Sequence, residues 1–374
     1  MWNAIESNNC TNNNPRRARE APVNPDQLLR GHDAVVFRIA QLFLGERDQG
    51  LSPSTIAEQI SREYNLRPEL TREAIYPMIG EAVRRGFLRL VPPVSQQLAE
   101  RVRAQYPNLK SSILKVVETA GPHDNAKVAT VAAELALGHV SEIIKATNDP
   151  VVSVGLGPGR GTLDFCRAFS SLLTGYPEPV KLQLVAMSAG CPANAPEYAS
   201  ISFFNLFPKC LVEGRTVGLF AETLVPQNAF DEIKQRPGVK EAFAAQKGIN
   251  LVVTSMGDVR DKHDLLMMFL EQSPSGKGRP QTDQWVGNVQ YRPYTAEGPV
   301  VEKGKELRAV TIFELKDLVQ AAGEKNRHVI LMARQCGICG RTRAQALRPL
   351  LTNPNLKVFS TLVMDAATAR ELLK

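Results

Sequence analysis

Apolar positions follow two rhythms along this chain, and the change falls near residue 95. From His32 to Leu44 (HDAVVFRIAQLFL), Val35, Val36, Ile39, Ala40 and Phe43 recur at helical spacing. Ser52-Pro53 then supplies an N-cap followed by proline at the first helical position, and Ile56, Ala57, Ile60 and Tyr64 continue one apolar face. A third periodic segment runs from Thr71 to Arg85, with Ile75, Ile79, Ala82 and Val83 expected inward; Gly86 ends it and FLRLVPP reads as a short strand. Pro77 lies inside that helix, where a proline removes a hydrogen bond and costs about 3 kcal/mol, so a bend or restart is expected. Three helices closed by a strand outline a winged helix-turn-helix over residues 31–94, whose third helix would enter a DNA major groove. Winged helices also serve as protein-interaction modules.

Beyond Ser95 a helical stretch (SQQLAERVR) leads to SSILKVV, read as the first buried strand of a new domain, and then to a long amphipathic helix, Lys127 to Thr147. Strand and helix then alternate five times: VVSVGLG with TLDFCRAFSSLL, KLQLVAM with YASISFFNLF, NLVVTSM with DLLMMFL, RHVILMA with RAQALRPLL, and KVFSTLVMD with AATARELL. That order predicts an α/β, Rossmann-like domain over residues 95–374, its mainly parallel sheet covered on both faces and its ligand at the carboxyl ends of the strands. Residues 1–30, rich in Asn, Pro and Arg without apolar periodicity, read as a flexible tail.

At 374 residues, 43% hydrophobic and 22% charged, the chain has the composition of a soluble globular protein with two cores. It holds no apolar run of about 18 residues and no apolar core near its start, so a cytoplasmic protein without membrane association is expected. Six irregularly spaced cysteines suggest thiols rather than a disulfide framework. The net charge of +7 is unevenly placed. Residues 1–103 carry fourteen Arg and twelve acidic residues, whereas residues 321–350 carry six Lys or Arg against Glu324 alone. The densest positive charge therefore lies far from the helix-turn-helix, either as a solvated face or as an anion site.

The loop Gly155-Leu156-Gly157-Pro158-Gly159-Arg160-Gly161-Thr162 joins a buried strand to a helix. Glycines let the backbone bring N–H groups close to an anion, and the helix N-terminus adds a positive dipole, so a phosphate is the expected occupant. The spacing is neither G-x-G-x-x-G nor a P-loop, which argues against a nicotinamide cofactor or ATP; a merely tight turn is the other reading. A second loop, Cys336-Gly337-Ile338-Cys339-Gly340-Arg341-Thr342-Arg343, also follows a buried strand. Cys-x-x-Cys could be half a zinc site or a redox pair, but no second pair or His partner is evident, so no metal or cofactor is expected. Arg341 and Arg343 are instead expected to hold phosphate oxygens from a solvent-facing loop. AGCPAN, TSMGD and Met364-Asp365 complete the rim; Asp365 would accept hydrogen bonds from sugar hydroxyls or cap the helix that follows. His263 reads as a surface residue.

Three stretches give the C-terminal two-thirds a likeness to a known family: VSVGLGPGRGTL, PGVKEAFAAQKGINLVVTSMGDV and, most specifically, LVMDAATARELL. TIAEQI, TREAIYPMIGEAVRRGFLRL and LAERVRAQY extend it to the N-terminal side. The chain resembles SorC/DeoR-type sugar-binding transcriptional regulators. The resemblance implies a phosphosugar-isomerase-like effector domain without catalysis, a phosphorylated sugar as effector, and a homotetramer or homodimer on operator DNA. Carried across by position, it implies Gly157, Gly159, Arg160, Gly161 and Thr162 around the phosphate and Asn194, Gly257, Asn288, Arg343 and Asp365 around the sugar. Departures are an extra residue in the glycine loop, Asn288 where the family usually has Gly-Asp, Arg343 in place of a lysine, and Pro77 in place of a polar or basic residue.

Arg72, at the start of the third helix, is the expected base reader, and Arg84, Arg85 and Arg89, near its end and the wing, are expected on the DNA backbone. Two alternatives remain open at this level: a phosphosugar-converting enzyme, for which Asp365 is the available carboxylate, and a ligand sensor whose winged helix mediates assembly without DNA.

Overall fold

The computed structural model describes residues 32–45, 50–85, 87–88, 91–174, 180–190, 195–212, 214, 216–273 and 278–374, with the backbone alone for Arg84. The chain divides into two compact units, Met1–Leu90 and Val91–Lys374.

In the first unit three helices span His32–Leu44, Pro53–Glu63 and Arg72–Arg84. Ser52 caps the second as its sequence predicts, Oγ accepting from the N–H of Thr55 at 3.2 Å with Pro53 behind it. Val35, Ile39, Leu42, Ile56, Ala57, Ile60 and Ile75 form the core. Val83, expected inward, is exposed, and so is Phe43, with Leu42 buried beside it. The third helix runs through Pro77 without interruption. Pro77 lies on its exposed side, so the carbonyl that lost its partner faces water. Of the wing segment, Gly86, Arg89 and Leu90 lie outside the described residues, and Phe87 and Leu88 form no strand.

The second unit carries a parallel sheet built from β1 (Ile113–Val117), β2 (Val151–Leu156), β3 (Lys181–Ala186), β5 (Leu251–Asp258), β9 (His328–Ala333) and β10 (Thr361–Asp365). Their order is β1-β10-β9-β5-β2-β3. These strands are almost continuously apolar because helices cover both faces. On one face the helix Ala126–Thr147 lies close to the sheet, its buried Ala129, Ala132, Ala133 and Ala136 presenting little bulk, and it joins Phe165, Phe169 and Phe203 in one core. The opposite face buries Tyr294, Phe313, Leu347, Leu350 and Phe359. The chain leaves β2 for β3 on one side and returns to β5 on the other, so the topology reverses at β2, where ligands sit in open α/β sheets.

Residues 200–206, expected as a helix after β3, form a 3₁₀ segment. A hairpin that sequence periodicity did not suggest pairs β6 (Gly287–Val289) with β7 (Arg292–Tyr294) and lays β6 antiparallel on β5, Asn288 opposite Gly257. Its two-residue turn, Gln290-Tyr291, has φ of 54° and 63°. Such turns normally carry Asn-Gly or Asp-Gly, and side chains in this region cost about 1–2 kcal/mol each. A short strand pair, β4 (Leu224–Pro226) with β8 (Leu307–Ala309), stands apart. Cys210 is disulfide-bonded, while Cys166, Cys336 and Cys339 are free, so most of the described cysteines are thiols as expected.

Where the helix Ala126–Thr147 crosses β9, the His139 ring stacks on His328 at 3.9 Å, and a Glu142 carboxylate oxygen lies 3.8 Å from His328 Nε2. Burial, reinforced by His139, lowers the His328 pKa to about 4 despite Glu142. The unfolded chain binds this proton near pH 6.5, so stability present above that pH is lost as pH falls toward 4. After allowance for partial exposure the loss is about 2 kcal/mol. His328→Gln should flatten thermal stability between pH 6.5 and 4; an unchanged slope would show that other groups carry it.

Candidate ligand-binding site

The carboxyl ends of β2, β5 and β9 and the β6–β7 hairpin enclose a cleft of about 110 Å³. One water needs about 10–15 Å³ on this scale, so the space suits a small organic molecule. Its cationic side is the glycine loop. Gly159 turns at φ 106°, which a side chain tolerates poorly, and opens the helix Arg160–Thr174. The N–H groups of Gly157 and Gly159 are taken by the carbonyls of Val253 and Tyr198, both at 2.9 Å. Those of Arg160, Gly161 and Thr162 meet no backbone acceptor among the described residues, as expected of a first helical turn. Thr162 Oγ1 is buried without a partner among those residues. Arg160 donates from Nε to the Tyr198 hydroxyl at 3.0 Å, and Arg334, from the end of β9, donates to Asp164 at 2.7 Å.

The facing wall is polar and uncharged in part. Asp264 is fully buried, caps the helix Leu265–Gln272 through the N–H of Met267, and accepts from Asn288 Nδ2 at 2.9 Å. Burial raises its pKa to about 6, against the hydrogen bonds from Asn288 and Met267. A Cβ on Gly257 would stand 1.8 Å from the Asp264 carboxylate and 2.5 Å from Asn288 Nδ2, so glycine is required for this contact. Gln290 leaves its buried Oε1 without a partner among the described residues, and with Gln335 and His263 it adds donors and acceptors.

The site thus gathers Gly159, Arg160, Gly161, Gly257, Asn288 and Arg343 of the residues read from sequence. Gly157 and Thr162 lie behind the lining rather than on it. Asn194 lies outside the described residues. Arg341 is exposed and lines a separate shallow groove with Arg260 and Gln345. Asp365 is not in the cleft: its carboxylate accepts from the N–H groups of Gln335 and Thr368, capping the last helix and fixing the turn after β9. Arg343 is not solvent-facing, being 9% exposed with Nη1 2.9 Å from Asp261 Oδ2. Burial would raise the Asp261 pKa, but the His263 N–H, Cys336 and Arg343 hold it well below the usual carboxylate range, so the pair is ionised.

His263, read as a surface residue, lines the cleft. It also brings Asp261 to the cysteines: its Nδ1 lies 3.1 Å from Asp261 Oδ1 and 3.5 Å from Cys336 Sγ. The partners that Cys-x-x-Cys lacked in sequence are therefore present in space. Ser255 comes from the TSMGD strand end expected on the rim, whereas Tyr198, Asp264, Gln290, Tyr291 and Arg334 were missed; only the glycine at 257, beside a strand end, pointed toward some of them.

In the first unit Arg72 is exposed and donates to the Tyr76 hydroxyl at 3.4 Å. Arg85, expected on the DNA backbone, is partly exposed and pairs with Asp33 and with Glu81 inside its own unit. Arg89 and the Arg84 side chain lie outside the described residues.

Fold and cleft together define an α/β domain whose cleft opens beside the N-terminus of the helix Arg160–Thr174, preceded by a helix-turn-helix unit. The sequence profile described as "Putative sugar-binding domain" matches residues 94–374, and the chain belongs to that family. Among solved structures, the full-length sorbitol operon regulator SorC from Klebsiella pneumoniae has the same fold, with a TM-score of 0.56 and 16% identity over 92% of this chain and 99% of its own. A transcriptional regulator from Streptococcus pneumoniae matches with a TM-score of 0.52 and 14% identity over 74% of this chain and 95% of its own. No curated protein sequence matches the chain. No helix among the described residues is long and apolar enough to cross a membrane.

Proposed function

We propose that this chain is a sugar-phosphate-responsive, DNA-binding transcription regulator. The observation that carries the effector reading is the first turn of the helix Arg160–Thr174, with three N–H groups lacking backbone acceptors beside Arg160 and Arg334, facing the polar wall of Asp264, Asn288 and Gln290. A phosphate suits the first side and hydroxyl groups suit the second. Arg72 is the base-reading candidate of the helix-turn-helix, with Arg84, Arg85 and Arg89 on the backbone. Residues 1–103 have a net charge of only +2, so tight binding requires several copies acting together as a homodimer or homotetramer.

Calorimetry should give a phosphorylated sugar a clearly lower Kd than the same sugar without phosphate, and at one hundred times Kd the ligand adds about 2.7 kcal/mol of stability. Equal affinities would sink the effector reading. Binding to the chain's own upstream DNA that does not weaken with salt would sink the DNA reading and leave a sensor that acts by assembly alone. A phosphosugar-converting enzyme is the second reading, favoured by the buried Asp264 carboxylate among the residues that line the cleft. Turnover of the bound sugar phosphate, followed by NMR, would establish it.

A further inference from the structure

Asp261, His263, Cys336 and Cys339 bring one carboxylate oxygen, one ring nitrogen and two sulfurs within 4.8 Å of one another. The neighbouring donor distances are 3.5 Å from Cys336 Sγ to His263 Nδ1, 3.5 Å from Cys339 Sγ to Asp261 Oδ1, and 3.1 Å from that Nδ1 to that Oδ1. A tetrahedral ion with bonds of about 2.3 Å to sulfur and about 2.0–2.2 Å to nitrogen and oxygen spaces its ligands about 3.4–3.6 Å apart. Two distances match those edges, and the third is short by a few tenths of an ångström. We propose that these four side chains form a binding site for a zinc-class divalent cation, which ties the turn after β9 to the turn after β5 and so braces one wall of the ligand cleft.

Chemistry selects the ion. Two thiolates with an imidazole favour zinc over magnesium or calcium, and four protein donors fill a tetrahedral shell. The donors are preset by the backbone. Cys336 and Cys339 lie on one turn, closed by the Cys336 N–H to the Arg341 carbonyl at 2.8 Å and the Gly340 N–H to the Cys336 carbonyl at 2.9 Å, with Gly340 at φ 71°. Asp261 and His263 lie on a second turn, closed by the Asp261 N–H to the Asp258 carbonyl at 2.9 Å. Charge also balances. Two thiolates and a carboxylate around a dication leave one net negative charge, and the Arg343 guanidinium, 2.9 Å from the other oxygen of Asp261, neutralises it while orienting the carboxylate. The exposed Cys339 gives the ion a path in, and His263 and Cys336 line the cleft, which joins the metal to the ligand wall. Binding releases the two thiol protons, and the imidazole binds through Nδ1 with its proton on Nε2.

The test uses the full chain, stripped with chelator under reducing conditions and titrated with Co²⁺ and then Zn²⁺. One equivalent of Co²⁺ should produce thiolate-to-cobalt charge-transfer absorption with tetrahedral d–d bands, and Zn²⁺ should displace it. Calorimetry in buffers of different ionisation enthalpy should show about two protons released per ion. Cys339→Ser, at an exposed position that cannot endanger the core, should weaken binding by at least the roughly 10–100-fold that loss of a supporting group costs, and Cys166→Ser should leave the spectrum unchanged. Absence of thiolate charge transfer, or its full retention in a Cys336→Ser/Cys339→Ser variant, would overturn the proposal and leave a hydrogen-bonded thiol–carboxylate cluster. No sugar is present in this titration, so the result stands apart from the effector reading.

Discussion

Replacing Arg292 by methionine should lower the stability of the second unit by about 3–5 kcal/mol, seen as a fall in Tm on the order of 10 °C. Arg292 on β7 donates from Nη1 and Nη2 to the two carboxylate oxygens of Glu302 at 3.0 and 2.7 Å, and from Nε to Glu314 at 2.9 Å. Arg308 pairs with the same Glu314 and stacks 3.5 Å over Phe230. Arg292 and Glu302 are both nearly inaccessible to water. Removing the guanidinium would strand the Glu302 carboxylate without a counter-charge, and this desolvation penalty exceeds the worth of the pair itself. The double variant Arg292→Met/Glu302→Met should recover a large part of the loss. Because β7 anchors the turn that carries Gln290 and Tyr291 into the cleft, ligand affinity should fall with stability. An Arg292→Met protein within 1 kcal/mol of the parent in urea unfolding would show that the pair is solvated.

Arg343→Met should be the second most disruptive change and should act on both fold and site. A solvent-facing loop residue could be truncated with little effect on the core, but Arg343 is the counter-charge of the inaccessible Asp261. Its loss should cost about 3 kcal/mol, at the low end for a broken buried pair because the His263 N–H still serves the Asp261 carboxylate. Sugar-phosphate affinity should drop as well, since Arg343 lines the cleft. Combining Arg343→Met with Asp261→Asn should restore stability without restoring affinity. Unchanged melting in the single variant would place the guanidinium in water.

Four of the five strand–helix alternations were legible as read, all but the helix after β3, because a parallel sheet covered on both faces demands unbroken apolar strands, and such strands stand out in a single chain. The glycine loop was equally legible, since Gly159 holds a left-handed φ that favours glycine and a Cβ on Gly161 would stand 3.0 Å from the Ser255 side chain. Local caps followed too, as Ser52 shows.

The opposite wall of the cleft was not legible. Its hairpin turns on Gln290-Tyr291, residues that carry no turn signal and hold positive φ only because the surrounding packing imposes it. Asp365 caps the last helix, one of the two roles its position suggested, but the expectation that Arg343 faces solvent failed, because whether a charged group is exposed depends on partners as far as 82 residues away. The same holds for Cys336 and Cys339, whose spacing is local while His263 and Asp261 reach them from another strand end. Sequence determines what each short segment prefers through backbone and solvent, and so it determined the elements, the glycine-rich loop that opens a helix and the fold class. Which distant side chains share one dry volume is decided only when the sheet closes, because there a charge must find its counter-charge and a donor its acceptor wherever the chain has brought them.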